Sequence, residues 1–187
     1  MEHAIKYSQE RKAFDQPISI ALLLDSSASM TYSLSRAVKA AQEFVHRTMK
    51  AGDRCSVYAV QEVPRRKQAL TAELELVGKA LGGLRPAGQT ALYDSLTTAI
   101  RELKGEKNRR AIVVLTDGGD TSSISSFDEV AKATAQAGIP LYFISYDTGT
   151  DTVSRDIERL RHLSAQTGGF VTLATQQDIA AKYNEIE

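Results

Sequence analysis

The chain has 187 residues, 42% of them apolar, which suits one domain with a substantial buried core, and no shift in composition divides it. Its 23 basic and 23 acidic residues cancel, so no bulk field draws it to nucleic acid or to an anionic membrane surface. A single cysteine, Cys55, excludes an intrachain disulfide and a thiolate metal site, and the three histidines lie apart without a spaced second ligand.

Residues 1–14 are polar and mixed in charge, without the apolar centre of a secretion signal, and residues 1–16 read as an arm ahead of a domain over 17–187. Residues 18–24 form an apolar run broken only by Ser19. It is too short to span a bilayer, which argues against membrane insertion, and it suits a strand covered on both faces. The run ends abruptly in Asp25-Ser26-Ser27-Ala28-Ser29. Beyond it, Leu34, Ala37, Val38, Ala41, Val45 and Met49 keep the spacing of one apolar helix stripe, and Gly52 stands where a left-handed closing residue is wanted. Residues 54–60 read as a strand, in which Cys55 is a buried, inert thiol.

Pro64 and three basic residues suggest a turn and a short edge strand within 61–70, followed by a modest helix over 71–81. Residues 82–89, with three glycines and Pro86, are a loop. From Thr90 onward Leu92, Leu96, Ala99, Ile100 and Leu103 line one side of another helix. Residues 111–115 are the clearest strand after the first, and they too end in an acidic polar turn, Thr116-Asp117-Gly118-Gly119-Asp120. Ser126 and Glu129 make a capping box for a helix over 127–137 that Gly138 stops. A strand over 141–145, a helix over 157–166, a last short strand over 170–173 and a final helix over 177–186 complete the chain. This alternation predicts an α/β, doubly wound, Rossmann-like architecture: a parallel sheet with helices on both faces.

In this class ligands bind at the carboxyl ends of the strands, where the winding reverses. The polar turns after the two strongest strands are therefore candidates, together with Gly88-Gln89-Thr90. They offer carboxylates from Asp25 and Asp117 and hydroxyls from Ser27, Ser29 and Thr90, with no nitrogen or sulfur. An all-oxygen set suits a hard cation, Mg²⁺ first and Mn²⁺ next; Ca²⁺ wants roughly 6–8 oxygens, which this set reaches only with several waters. Two facing carboxylates repel and raise each other's pKa, a conflict that a cation removes. Each residue also has an ordinary structural use, since Asp25, Ser27 and Ser29 are helix-capping types and Asp117 can anchor a turn.

Asp25-x-Ser27-x-Ser29, Thr90 in Gly88-Gln89-Thr90-Ala91-Leu92-Tyr93-Asp94, and Thr116-Asp117-Gly118 after an apolar strand resemble the metal-ion-dependent adhesion site of von Willebrand factor type A domains, bacterial ones among them. The resemblance covers about residues 17–186. It implies a mostly parallel six-stranded sheet with one short antiparallel edge strand near 67–70. It further implies that Ser27, Ser29 and Thr90 contact the metal through their hydroxyls, with Asp25 acting through water and Asp117 directly or through water. One coordination position is left for a partner. Two departures stand out: many members have Gly-Gly-Thr where this chain has Gly88-Gln89-Thr90, and Ala28 replaces a frequent glycine.

The expected function is non-enzymatic: a Mg²⁺-dependent protein-binding module for adhesion or assembly, whose partner presents an Asp or Glu carboxylate. Tyr32 and Asp120, beside the metal segments, would shape partner choice. The resemblance leans toward an extracytoplasmic or cell-surface setting within a larger protein, with a scaffold subunit of an intracellular machine as the alternative. A nucleotide-binding enzyme is the rival class, since Gly83, Gly88 and Thr90 copy a phosphate-loop spacing. Gln89 stands in place of the phosphate-reaching lysine, however, and Pro86 removes a backbone donor.

Overall fold

The alternating strand and helix signals resolve into six strands: Ile18–Asp25 (β1), Arg54–Val60 (β2), Arg65–Thr71 (β3), Arg109–Thr116 (β4), Leu141–Tyr146 (β5) and Phe170–Ala174 (β6). They form one sheet in the order β3-β2-β1-β4-β5-β6. All neighbours are parallel except β2 and β3, which are antiparallel with an irregular register between Cys55 and Tyr58. This is a computed structural model describing residues 16–146, 152–175 and 178–186. Residues 1–15 of the expected arm, and Gln177 at the expected start of the last helix, lie outside those residues.

The helices are Leu34–Thr48 (α1), Leu74–Gly82 (α2), Leu92–Leu103 (α3), Phe127–Ala137 (α4), Thr152–Ala165 (α5) and Ile179–Asn184 (α6). They cover both faces of the sheet because its central strands are apolar on both. Along β1, Ile20, Leu22 and Leu24 pack with α1 residues Ala37, Phe44 and Val45, and with Tyr183 of α6. Ala21 and Leu23 point the other way, against Leu96 and Ile100 of α3, Val130 of α4 and Leu163 of α5. Period-two alternation thus feeds two separate cores from one strand. Each fully buried leucine contributes roughly 1.5–3 kcal/mol, so β1 and β4 anchor the fold.

Several boundaries differ from those the sequence predicts, each for a local reason. The first helix ends at Thr48, with Met49 already extended, so Gly52 (φ +92°) belongs to the following turn. There the Asp53 carboxylate accepts the Lys50 and Ile18 amides, tying the turn to the start of β1. The edge strand is longer than expected and takes in Thr71, because pairing with Cys55 outweighs the weak helical pattern from 71. The helix after the glycine loop starts at Leu92, leaving Thr90 outside it. The fifth helix begins at Thr152, ahead of the expected 157. A short 3-10 helix, Ala28–Tyr32, pinned by the fully buried Met30, has no counterpart in the sequence reading.

Other expectations hold. Ser126 and Glu129 form the reciprocal capping box at α4, and Gly138 ends that helix in a left-handed conformation. Cys55 is fully buried, and its thiol is pushed up to about 12 by that burial and by the charge of Glu102, which keeps it protonated and unreactive. Among the described residues no helix is long and apolar enough to cross a membrane.

Candidate metal centre

Strand order reverses between β1 and β4, and in folds of this class the carboxyl ends at such a switch point form the ligand crevice. Asp25 is the last residue of β1, and Thr116 closes β4 directly before Asp117. Asp25 is fully buried. One of its carboxylate oxygens accepts the Ser27 amide at 2.9 Å, and the other accepts the Thr116 hydroxyl at 2.7 Å. From Ser27 the contact continues outward: its hydroxyl lies 2.9 Å from that of Ser29, and the Ser29 hydroxyl donates to Asp117 Oδ1 at 3.0 Å. Four of the five sequence-predicted oxygen donors are therefore joined in one chain of contacts running from the buried crevice floor to the surface.

Thr90, the fifth, is brought alongside by backbone ties. The Ala28 amide donates to the Gly88 carbonyl at 3.0 Å, and the Ala87 amide to the Ser26 carbonyl at 2.9 Å. Gly88 has φ +68°, a left-handed conformation that a side chain would strain, and a Cβ there would press on Glu62. Thr90 is buried, its amide donates to the Thr121 hydroxyl, and its carbonyl accepts the Thr121 and Ser122 amides. The glycine loop is thus wedged between the first polar turn and the loop after β4. The same bonds dispose of the phosphate-loop resemblance, because the Ala87, Thr90 and Ala91 amides already donate within the protein, and the loop follows a helix rather than a strand.

The alternative use of the serines as helix caps does not appear in the structure. Ser27 precedes the 3-10 helix, yet its side chain makes no capping bond, and none comes from Ser33 at α1. Asp120 does have a structural job. It accepts the Tyr93 amide at the start of α3 together with the amide and hydroxyl of Ser123, so its carboxylate holds the loop after β4 onto that helix. Tyr32, by contrast, stands 89% exposed at the end of the 3-10 helix.

Sequence reasoning missed three contributors. Thr116 is fully buried and holds Asp25. Asp94 grips the far end of the same loop by accepting the Ile124 amide at 2.9 Å and the Ser125 amide at 3.0 Å. Gly119 passes so close to α5 that a Cβ there would displace the Asp156 carboxylate. Of these, only Thr116 carried a local signal, as the residue directly before Asp117.

The electrostatics are unbalanced. Burial lifts the Asp25 carboxyl above the ordinary range, hydrogen bonds from Ser27 and Thr116 pull it partly back, and the nearby Asp117 charge lifts it again. No basic side chain pairs with Asp25 among the described residues. Nor do three or more His, Cys, Asp and Glu side chains gather anywhere among them in a metal-holding group. The oxygens available are two carboxylates plus hydroxyls, a donor set for a hard cation.

Compared with known families, residues 20–119 match the profile of the von Willebrand factor type A domain. The chain belongs to that family. Domains of this family are typically protein-binding modules of adhesion and assembly, and generally not catalytic. No curated protein sequence matches significantly. Among solved structures, the domain is similar to the von Willebrand factor domain of the type V pilus tip protein Mfa5 from Porphyromonas gingivalis, at 14% identity and a TM-score of 0.76, over 91% of this chain and 94% of that one. It is similar to a von Willebrand factor type A protein from Catenulispora acidiphila, at 20% identity and a TM-score of 0.77, over 91% of this chain but only 42% of that one. The conserved hypothetical protein BatB from Bacteroides thetaiotaomicron aligns at 17% identity and a TM-score of 0.70, over 90% and 98% of the two chains. At these identities the likeness is one of fold.

Proposed function

We propose that this von Willebrand factor type A domain binds one Mg²⁺ at the β1–β4 crevice and uses it to hold an acidic side chain of a protein partner. The observation that carries the reading is the fully buried Asp25, without a basic partner among the described residues, joined through Ser27 and Ser29 to a second carboxylate, Asp117. A buried carboxylate with no countercharge is costly, and a cation offsets that cost. The hydroxyls of Ser27, Ser29 and Thr90 would ligate the ion, with Asp25 acting through water and Asp117 directly or through water. The bound cation supplies a positive charge that neutral hydroxyls leave largely uncancelled, so it attracts a carboxylate from outside. Mn²⁺ would be the next choice, and Ca²⁺ would fit less well because it wants more oxygens. The chain's own residues do the rest: Thr116 and the Ser27 amide orient Asp25, and the loop ties keep Thr90 beside the first turn.

The test is thermal denaturation with chelator and with Mg²⁺. A ligand bound only to the native state adds RT ln(1 + [L]/Kd), about 2.7 kcal/mol at a hundredfold excess over Kd. Mg²⁺ is expected to raise the melting temperature of the wild type and to leave a Ser27→Ala/Ser29→Ala double variant unmoved. Identical melting curves for the wild type with chelator and with Mg²⁺ at about 10 mM would sink the proposal.

A further inference from the structure

Among the described residues four large apolar side chains stand in water: Ile124 at 96% exposure, Tyr32 at 89%, Val63 at 59% and Leu173 at 40%. Isolated exposed apolar residues are ordinary on any surface and need no explanation. The distribution of these four is not random over the fold. Three of them follow the carboxyl ends of parallel strands that share one edge of the sheet: Tyr32 after β1, Val63 after β2 and Ile124 after β4.

The loops that carry them are stitched into a continuous rim around the crevice. The Gln61 side chain donates to the Ser26 and Arg85 carbonyls, and Glu62 packs against Gly88, which brings the Val63 loop up to the first polar turn. Thr90 is bonded to Thr121, and Asp94 holds the Ile124 and Ser125 amides, which closes the rim on the opposite side. Tyr32 ends a 3-10 helix fastened by buried Met30, by the Thr31 hydroxyl on the Ala28 carbonyl, and by the Ser33 amide on the Met30 carbonyl. The apolar side chains are therefore presented on backbone that is already fixed, which lowers the ordering cost of binding.

We infer that the crevice recognises a polypeptide segment in which an acidic residue is flanked by apolar side chains. The acid would enter the crevice while its neighbours cover Tyr32, Val63 and Ile124. This rests on the proposed metal site and adds the chemistry around it. A rim of three separated apolar side chains about a polar centre matches an alternating acidic and apolar peptide. It does not match a purely anionic ligand, which would gain nothing from Ile124 or Val63.

The experiment selects phage-displayed heptapeptides on the immobilised 187-residue chain in Mg²⁺ and elutes with chelator. The expected pool shares an Asp or Glu with an apolar residue close by on one or both sides. A synthetic peptide of that pool should lose affinity about tenfold, or about 1.4 kcal/mol, on a Tyr32→Ser/Ile124→Ser variant. That variant should keep the wild-type melting temperature and Mg²⁺ response, because both side chains lie in solvent. Acidic peptides without apolar preference, or equal binding by the double variant, overturn the apolar rim and leave the metal reading standing. A pool that chelator does not release, or that binds Ser27→Ala/Ser29→Ala equally well, overturns both.

Discussion

Thr116 carries more of the site than its plain chemistry suggests. Its hydroxyl is the one side-chain donor, among the described residues, to the inner oxygen of Asp25, and it also accepts the Gly118 amide at the turn toward Asp117. One residue therefore holds the Asp25 carboxylate and braces the backbone turn that carries Asp117. Replacing it with valine keeps the shape and deletes both bonds. An unsatisfied buried acceptor costs about 1–3 kcal/mol, and more when it is charged. Thr116→Val should lower the stability of the chelated protein by about that amount in urea denaturation, whereas Thr116→Ser, which keeps the hydroxyl, should lose clearly less. Equal losses for the two variants would mean that the methyl packing, not the hydrogen bond, is what matters.

At the scale of elements, the loop between β4 and α4 is held to the start of α3 by two aspartates. Asp120 takes the Tyr93 amide and Asp94 takes the Ile124 and Ser125 amides. Burial pushes the Asp94 carboxyl up, but hydrogen bonds from Ser125 and Ile124 outweigh it and hold the group below its ordinary range. A carboxyl whose folded value is depressed stabilises the fold above the unfolded value, about 3.9, and loses that contribution as pH falls through the folded value. Amide exchange at Ile124 and Ser125 should therefore become faster than the usual acid trend as pH drops below about 4, while core amides such as Val113 keep their protection. Asp94→Ala should release the same amides at neutral pH, at a cost of about 0.5–1.5 kcal/mol, because water can replace these solvent-facing bonds. Unchanged exchange in that variant would show that Asp120 and the Thr90 ties hold the loop without Asp94.

What the sequence reveals at this scale depends on how local the signal is. The apolar run through Leu22 and the Ser126–Glu129 box each lie within a few residues and appear in the structure close to where they are expected, and the Ser27 and Ser29 hydroxyls of the first polar turn lie side by side. Asp94 gave no such sign, because its partners lie thirty residues onward and only the folded loop brings them together. Thr71 looked helical by composition and became strand through pairing with Cys55, a tertiary contact overriding propensity. The 3-10 helix depends on Met30 finding a core pocket that exists only once β1 and α1 have packed.

For the molecule as a whole, the order β3-β2-β1-β4-β5-β6 was expected only as a doubly wound class, and its central strand has a consequence for how the chain is made. Within this domain β1 is made well before its second neighbour, since the strand on that flank begins at Arg109. Until β4 emerges, a nascent chain holding β1, β2 and β3 shows one bare, mostly apolar strand edge, the kind of template that recruits other chains. A fragment ending at Gly105 should therefore aggregate or bind a dye for exposed apolar surface, and a soluble, cooperatively melting fragment would refute this. The charged stretch Arg65-Arg66-Lys67 on the outer strand guards the opposite edge in the same period. Synthesis of this domain thus passes through an interval of vulnerability that closes only when the valines of β4 arrive, and chaperone demand should peak there.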